Sequence, residues 1–184
     1  MTLTTNGLLV HDYITVFKEA GITSLNVSID TLQKDKFTQI TRRDEFDKLN
    51  KNISLLLSEG FNVKLNVVLI KGFNENEILD FIGLTKDKNL QIRFIEFMPF
   101  DKNDWNQSKV FTYQDILNTV SEKFEYLPIK GHLSDTSKKF KILTTLAAFV
   151  VAITLGAFWG LQTAPNSSSP TQAPVKTTGV KTML

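Results

Sequence analysis

The sequence predicts an α/β fold built from parallel βα units, and two observations carry that prediction. Short runs of β-branched and apolar residues alternate with longer stretches in which apolar residues recur at helical spacing. Two predicted helix-to-strand connections are also similar: Gly21 stands four residues before Leu25-Asn26-Val27, and Gly60 stands five residues before Leu65-Asn66-Val67. Strands alternating with helices in this way are wound by right-handed crossovers into a barrel or an open sheet.

The predicted strands share short length, apolar character and flanking turn residues. They are expected at residues 3–10, with a break at Asn6-Gly7, and at residues 25–29, 63–70, 92–97 and 125–129. The helices between them have start or stop signals: Gly21 ends the first, the second runs past Arg42-Arg43, Asp44 caps and Gly60 ends the third, the fourth follows Lys71-Gly72, and Thr112 with Asp115 forms a capping box for the fifth.

The strand at residues 92–97 carries two charges that require an explanation. Arg93 and Glu96 lie in an otherwise apolar run that Pro99 closes. A charge on a strand buried on both faces is costly unless it is paired or meets a ligand. Arg93 and Glu96 therefore indicate an internal ion pair or a binding site.

The character of the chain changes at residue 142. Residues 142–161 carry no charge, and the segment is long enough to form a membrane-spanning helix. Three lysines precede it, at positions 138, 139 and 141. The alternative is a buried core helix. Residues 162–184 are rich in Ser, Thr and Pro and are predicted to be a disordered tail. The expected organisation is thus a βα domain over residues 1–141, a transmembrane helix over 142–161 and the tail.

Composition excludes several functional classes. The chain of 184 residues has no cysteine, which removes disulfides, thiolate metal sites and thiol nucleophiles, and its two histidines cannot form a metal cluster alone. A net charge of +2 is too small to indicate nucleic-acid binding. The first twenty residues do not resemble a secretory signal.

Polar residues on neighbouring strands predict a ligand. One parity of residues 25–30 is apolar and the other holds Asn26, Ser28 and Asp30, and residues 63–70 repeat the pattern with Lys64 and Asn66. Strands of purely structural duty in a parallel sheet tend to be apolar on both faces, so a polar parity favours a ligand in the lumen.

Each such residue also has a structural interpretation. Ser28 could satisfy a backbone group, Lys64 could reach solvent from a strand edge, and Met98 could fill the core. Arg42-Arg43 could be a solvated helix face. Asn74, Glu75 and Glu77 are expected to cap a helix.

Six stretches, taken together and in this order, resemble one enzyme family. They are Thr4-Thr5-Asn6-Gly7-Leu8-Leu9, Asn26-Val27-Ser28-Ile29-Asp30-Thr31, Ile40-Thr41-Arg42-Arg43, Asn62-Val63-Lys64-Leu65-Asn66-Val67-Val68, Lys71-Gly72 and Arg93-Phe94-Ile95-Glu96-Phe97-Met98. The family is GTP 3′,8-cyclase, molybdenum cofactor biosynthesis protein A, of the radical S-adenosylmethionine superfamily. The resemblance extends from about Leu3 to the region of Phe140-Lys141-Ile142.

The resemblance implies an incomplete (β/α)₆ barrel, about strands 3 to 6, and a set of ligand contacts. Thr4, Lys64 and Arg93 match positions that contact GTP, with Arg93 near the triphosphate, and Ser28 and Met98 match positions that contact S-adenosylmethionine. Arg93 and Met98 have opposite parity, so both can reach ligand only if Met98 lies beyond the strand end. The family also implies [4Fe–4S] clusters and a homodimer. The three lysines before residue 142 predict a cytoplasmic or mitochondrial-matrix location for the βα domain, with membrane anchoring through residues 142–161.

The sequence departs from the family in its cluster ligands. The amino-terminal CxxxCxxC, the carboxy-terminal cysteines of the second cluster and the first two strands are absent. Three hypotheses follow: part of a cyclase that needs clusters from another chain, a membrane-tethered nucleotide-binding pseudoenzyme, or an inactive product of truncated or misjoined sequence. In each case we expect the chain alone to produce no 5′-deoxyadenosyl radical.

Overall fold

A computed structural model describes residues 1–86, 88–99, 105–130, 137–143 and 148–154. Seven strands in these residues belong to one sheet: β1 (Thr2–Thr5), β2 (Ser24–Ser28), β3 (Asn62–Leu69), β4 (Leu90–Glu96), β5 (Glu125–Ile129), β6 (Ser137–Leu143) and β7 (Ala148–Thr154). The spatial order of the strands is β1-β2-β3-β4-β7-β6-β5. Neighbouring strands from β1 to β4 are parallel, β7 adds to β4 in parallel, and β6 and β5 continue the sheet antiparallel.

The predicted alternation of strands and helices is confirmed, except that the first strand ends at Thr5 and residues 6–10 are not part of it. The described helices are α1 (Ile14–Glu19), α2 (Lys34–Thr41), α3 (Phe46–Ser58), α4 (Ile78–Leu84) and α5 (Tyr113–Ser121). Thr112 and Asp115 form the predicted capping box at the start of α5. Gly60 follows α3 with φ +81°, a left-handed conformation that glycine adopts without steric cost.

Two details between α2 and α3 differ from the sequence-based expectation. The helical pattern does not run past Arg42-Arg43: α2 ends at Thr41, and Arg42 caps it with a left-handed φ of 58°. Asp44 does not cap α3, whose N-cap is Glu45 without a side-chain hydrogen bond. Asp44 stands one residue before the N-cap position, and its carboxylate lies 3.5 Å from Lys34 Nζ instead.

The core lies on one face of the sheet, where the apolar parity of β2, β3 and β4 packs against the helices. Its fully buried members include Leu25, Val27, Val63, Leu65, Val67, Leu69, Ile92 and Phe94 on strands and Leu56, Ile78, Phe81 and Ile116 on helices. The rings of Phe81 and Phe94 meet edge to face at 6.3 Å. Because successive side chains of a strand point to opposite faces, the alternate residues of the same strands lie on the other side of the sheet.

The predicted transmembrane helix is wrong in the part of 142–161 that the structure describes. Ile142 and Leu143 end β6, and Ala148–Thr154 forms β7 between β4 and β6. The structure contains no helix of sufficient length and apolarity to cross a membrane among its described residues. A short uncharged run rich in valine and isoleucine also suits a strand paired on both sides, and periodicity cannot separate the two. The predicted tail lies outside the described residues.

Candidate functional site

Strand register gathers the polar parity of four strands onto one face of the sheet, which we call the polar face. Thr4 pairs with Asn26, Asn26 with Lys64, and Lys64 with Gln91, which forms one row across β1 to β4. Paired residues on adjacent strands project from the same side of a sheet. Three of the side chains singled out in the sequence therefore stand side by side.

A second row lies two residues further along the same strands. Ser28 pairs with Asn66 and Asn66 with Arg93. Ser28 is exposed, whereas Asn66 and Arg93 are partly buried. Four of the five residues expected to contact ligand, Thr4, Ser28, Lys64 and Arg93, thus share the polar face.

The fifth residue, Met98, lies elsewhere along the chain but near the same edge. β4 ends at Glu96, so Met98 stands two residues beyond the strand, as the parity argument required. Its side chain is partly buried. Strand parity consequently does not constrain its direction.

Three buried polar atoms on the polar face lack hydrogen-bond partners in the described part of the chain. They are Asn26 Oδ1, Asn66 Oδ1 and Arg93 Nε. Asn26 is held in place through its other atom, since its Nδ2 donates to Thr4 Oγ1 at 3.2 Å. An unsatisfied buried polar atom costs about 1–3 kcal/mol, so three such atoms in adjacent rows indicate a polar ligand or ordered water at this face.

The carboxyl ends of β2 and β3 are joined by side-chain hydrogen bonds. Asp30 Oδ1 accepts from the Val68 N–H at 2.8 Å, and the buried Asn74 donates to the backbone oxygens of Asp30 and Val68. Burial raises the pKa of the Asp30 carboxyl, and the Val68 N–H opposes this rise only in part. These contacts stabilise the edge of the sheet at which β2 ends with the exposed Ser28.

Two cavities lie at this edge. One of about 170 Å³ is lined by apolar side chains and by five polar or charged residues, Asn6, Ser28, Asp30, Thr41 and Arg43. The other, of about 510 Å³, follows β3 and β4 and includes Arg42, Lys71 and Lys109. Among the described residues that line the larger cavity, none is acidic. Its charge is therefore suited to an anionic group.

The expected helix caps have other roles. Glu77 is buried and accepts hydrogen bonds from Thr31 Oγ1, the Leu32 N–H and Lys36 Nζ, at 2.7–3.0 Å. Asn74 accepts from the Ile70 N–H and joins β2 to β3. Glu75 accepts from the nearby backbone N–H groups of Gly72 and Phe73. Sequence reasoning missed the contacts of Glu77 with Thr31, Leu32 and Lys36 and that of Asn74 with Asp30, because these partners are distant along the chain.

The chain offers no ligands for an iron–sulfur cluster. It contains no cysteine. The described residues include no group of three or more His, Asp or Glu side chains able to hold a metal ion. A [4Fe–4S] cluster requires thiolate ligands, so the residues present do not fit one.

The chain is similar to proteins of one superfamily. Residues 1–85 match the model of the radical SAM superfamily. A crystal structure of a radical SAM methyltransferase from Sphaerobacter thermophilus superposes with a TM-score of 0.52 at 19% identity, covering 65% of this chain and 36% of that one. This likeness supports the fold.

Curated relatives are more similar in sequence. A molybdenum cofactor biosynthesis protein of Caenorhabditis elegans is 44% identical over 142 residues, covering 76% of this chain and 24% of that protein. The mitochondrial GTP 3′,8-cyclase of Arabidopsis thaliana is 41% identical over 144 residues, and the GTP 3′,8-cyclase of Petrotoga mobilis is 36% identical, covering 37% and 45% of those proteins. The chain thus spans from about a quarter to just under half of these relatives.

Proposed function

Because about three quarters of the chain corresponds to part of the GTP 3′,8-cyclase family of radical SAM proteins, we propose that its polar face is the substrate-binding part of such an enzyme. The enzyme would convert GTP to the 3′,8-cyclo-7,8-dihydro nucleotide used for molybdenum cofactor synthesis. The sheet would correspond to about strands 3 to 6 of a (β/α)₆ barrel. The observation that carries the proposal is the set of partnerless atoms of Asn26, Asn66 and Arg93 on one face.

The proposed GTP contacts are Thr4, Lys64 and Arg93. Lys64 and Arg93 stand on adjacent strands in successive rows, and both are partly buried. Cations withdrawn from bulk water bind phosphate oxygens more strongly than exposed ones, and a guanidinium presents several donors in fixed directions. Arg93 Nε would thereby gain the acceptor that it lacks. The Thr4 hydroxyl, already an acceptor from Asn26, would donate to the nucleoside.

Ser28 and Met98 are proposed to contact S-adenosylmethionine. Ser28 lines the 170 Å³ cavity, and its neighbour Asn66 carries a second partnerless oxygen. A hydroxyl and an amide oxygen are suited to the hydroxyl groups of a ribose. Bound with a cluster, S-adenosylmethionine supplies the radical in this superfamily, but this chain holds no cluster ligands.

We therefore propose that the chain alone binds and orients GTP and S-adenosylmethionine but does not start the reaction. The clusters would come from another polypeptide. Homodimerisation and a cytoplasmic or mitochondrial-matrix location remain predictions, the latter supported by the mitochondrial relative. We expect no 5′-deoxyadenosine from purified chain after cluster reconstitution, and its detection would contradict this part of the proposal.

Titration of the 184-residue chain with GTP tests the binding site. We expect Lys64→Ala and Arg93→Ala each to weaken GTP binding roughly tenfold, the effect of losing one hydrogen bond to a charged group. Lys51→Ala is the matched control, because Lys51 is exposed on α3, on the opposite side of the sheet. Equal affinity of all three variants for GTP would contradict the proposed site.

A further inference from the structure

Strand β6 adds lysines to the polar face. Arg93 of β4 and Lys139 of β6 are both registered with residue 152 of β7, from its two sides. Lys139 therefore continues the row that contains Ser28, Asn66 and Arg93. Lys141 lies two residues away on β6 and so projects from the same side, in the direction of the row that holds Lys64.

The opposite parity of β6 supports this direction. Phe140 and Ile142 are buried at 5% and 1% exposure, and the Phe140 ring contacts those of Tyr113 and Tyr126. Lys138 shares their parity, and its Nζ lies 4.7 Å from the centre of the Tyr113 ring. Even-numbered residues of β6 thus face α5 and the core, which leaves 139 and 141 on the polar face.

Within the described strands, the charged side chains of the polar face are mainly cationic. Lys64, Arg93, Lys139 and Lys141 are four cations on the polar face of the described strands. The acidic residues of the same parity are Asp30, which is engaged by the Val68 N–H at the edge, and Glu125, at the far end opposite Leu143. Two strand spacings, about 10 Å, separate the backbones of Arg93 and Lys139, a gap that two long side chains can close around an anion.

We propose that Lys139, assisted by Lys141, binds the terminal phosphate groups of a nucleoside triphosphate whose first contacts are Lys64 and Arg93. This inference rests on the proposed function. It assigns the end of the triphosphate to β6, which β7 separates from β4 in the sheet. The site would discriminate a triphosphate from the nucleoside and monophosphate by the number of charges that it neutralises.

The test measures the affinities of the full chain for GTP, guanosine and inorganic tripolyphosphate. Lys139→Ala should weaken GTP and tripolyphosphate binding roughly tenfold and leave guanosine binding unchanged, whereas Lys139→Arg should retain most of the affinity. Lys138→Ala, on the same strand but the opposite face, should change none of the three. A thermal melt of each variant confirms that the chain is folded.

The outcomes separate the two proposals. If Lys64→Ala loses GTP binding and Lys139→Ala does not, the assignment of Lys139 is wrong and the proposed function stands. If the chain binds tripolyphosphate through Lys139 but shows no preference for GTP over it, the phosphate site stands and the proposed function is wrong. Equal loss in Lys138→Ala and Lys139→Ala would overturn the inference, since it would show only a general effect of charge.

Discussion

Glu96 Oε1 accepts a hydrogen bond of 2.6 Å from the backbone N–H of Tyr113, so the last residue of β4 holds the first residue of α5. The carboxylate lies on the core parity, opposite to Arg93, and faces the positive end of a helix. The two charges of this strand thus do not form a pair in register. Glu96 connects β4 to α5, and Arg93 projects from the polar face.

Replacement of Glu96 should therefore affect stability. We expect Glu96→Ala to lower the free energy of unfolding by about 1–3 kcal/mol, because it leaves a helix-terminal N–H without its acceptor. Glu96→Gln should cost less, since an acceptor oxygen remains. Urea unfolding measures both, with Glu122→Gln on an exposed site as control. An unchanged midpoint for Glu96→Ala would show that the bond contributes nothing.

Sequence patterns predicted the local and periodic features of this molecule well. The strands of the parallel sheet, the glycine stop after α3 and the Thr112–Asp115 capping box depend on residues near one another in the chain. The polar parity of Asn26, Ser28 and Lys64 likewise requires only alternation. The same reasoning failed for residues 148–154, whose state is decided by free hydrogen-bonding edges on β4 and β6. The amino-acid sequence of a segment does not show whether the backbone edge of a distant strand is available to pair with it.

Glu77 forms the most buried ion pair among those described. Its side chain is 2% exposed and that of Lys36 is 21% exposed, with 2.8 Å between Oε1 and Nζ. We expect Glu77→Gln to lower the free energy of unfolding by about 3–5 kcal/mol, because the amide leaves a largely buried cation without its counter-charge. Lys36→Met in the same chain should recover part of that loss, and a double-mutant cycle by denaturant unfolding measures the coupling. Strictly additive losses would contradict the assignment.

Gly7 stands where a side chain does not fit. It has φ +77°, and a Cβ placed there would lie 2.6 Å from Leu49 Cδ1 and 2.9 Å from Val27 Cγ1. Gly7→Ala should lower the free energy of unfolding by about 1–3 kcal/mol or more through overpacking and an unfavourable φ. Gly83→Ala is the control, since Gly83 lies within α4 with no atom within 4 Å of the added methyl, and it should raise stability by about 0.5–1 kcal/mol. Similar effects of both changes would refute the proposed crowding.

Asp30 should make stability depend on pH in the direction opposite to that of most carboxylates. Burial raises its pKa in the folded chain above the ordinary 3.8, so the folded chain retains a proton that the unfolded chain has released. Its contribution to stability is then complete below the unfolded pKa and is lost as pH rises through the folded pKa. Asp30→Asn keeps an acceptor for the Val68 N–H and removes the titration. The stability of this variant relative to wild type should therefore increase with pH.

Unfolding by urea at a series of pH values from about 3 to 7 measures this difference. Asp47→Asn provides a control of opposite sign, because the hydrogen bond from Lys34 lowers the pKa of Asp47. Its wild-type contribution is present above the unfolded pKa and is lost as pH falls. A pH-independent difference between wild type and Asp30→Asn would show that the burial of Asp30 has no energetic effect.

A proline at position 151 tests whether the apolar segment is a strand of the sheet. Val151 is registered with Ile92 of β4 and with Phe140 of β6, so β7 is paired on both sides. Val151→Pro removes a backbone donor and fixes φ at a helix-like value, which the interior of a sheet tolerates poorly, whereas Val151→Thr keeps the N–H and the β preference. We expect the proline variant to lose the cooperative thermal melt and the threonine variant to retain it. If residues 148–154 did not join the sheet, the proline would not affect the packing of β1 to β4. Equal melting of the two variants would therefore contradict the assignment of these residues to a strand of the sheet.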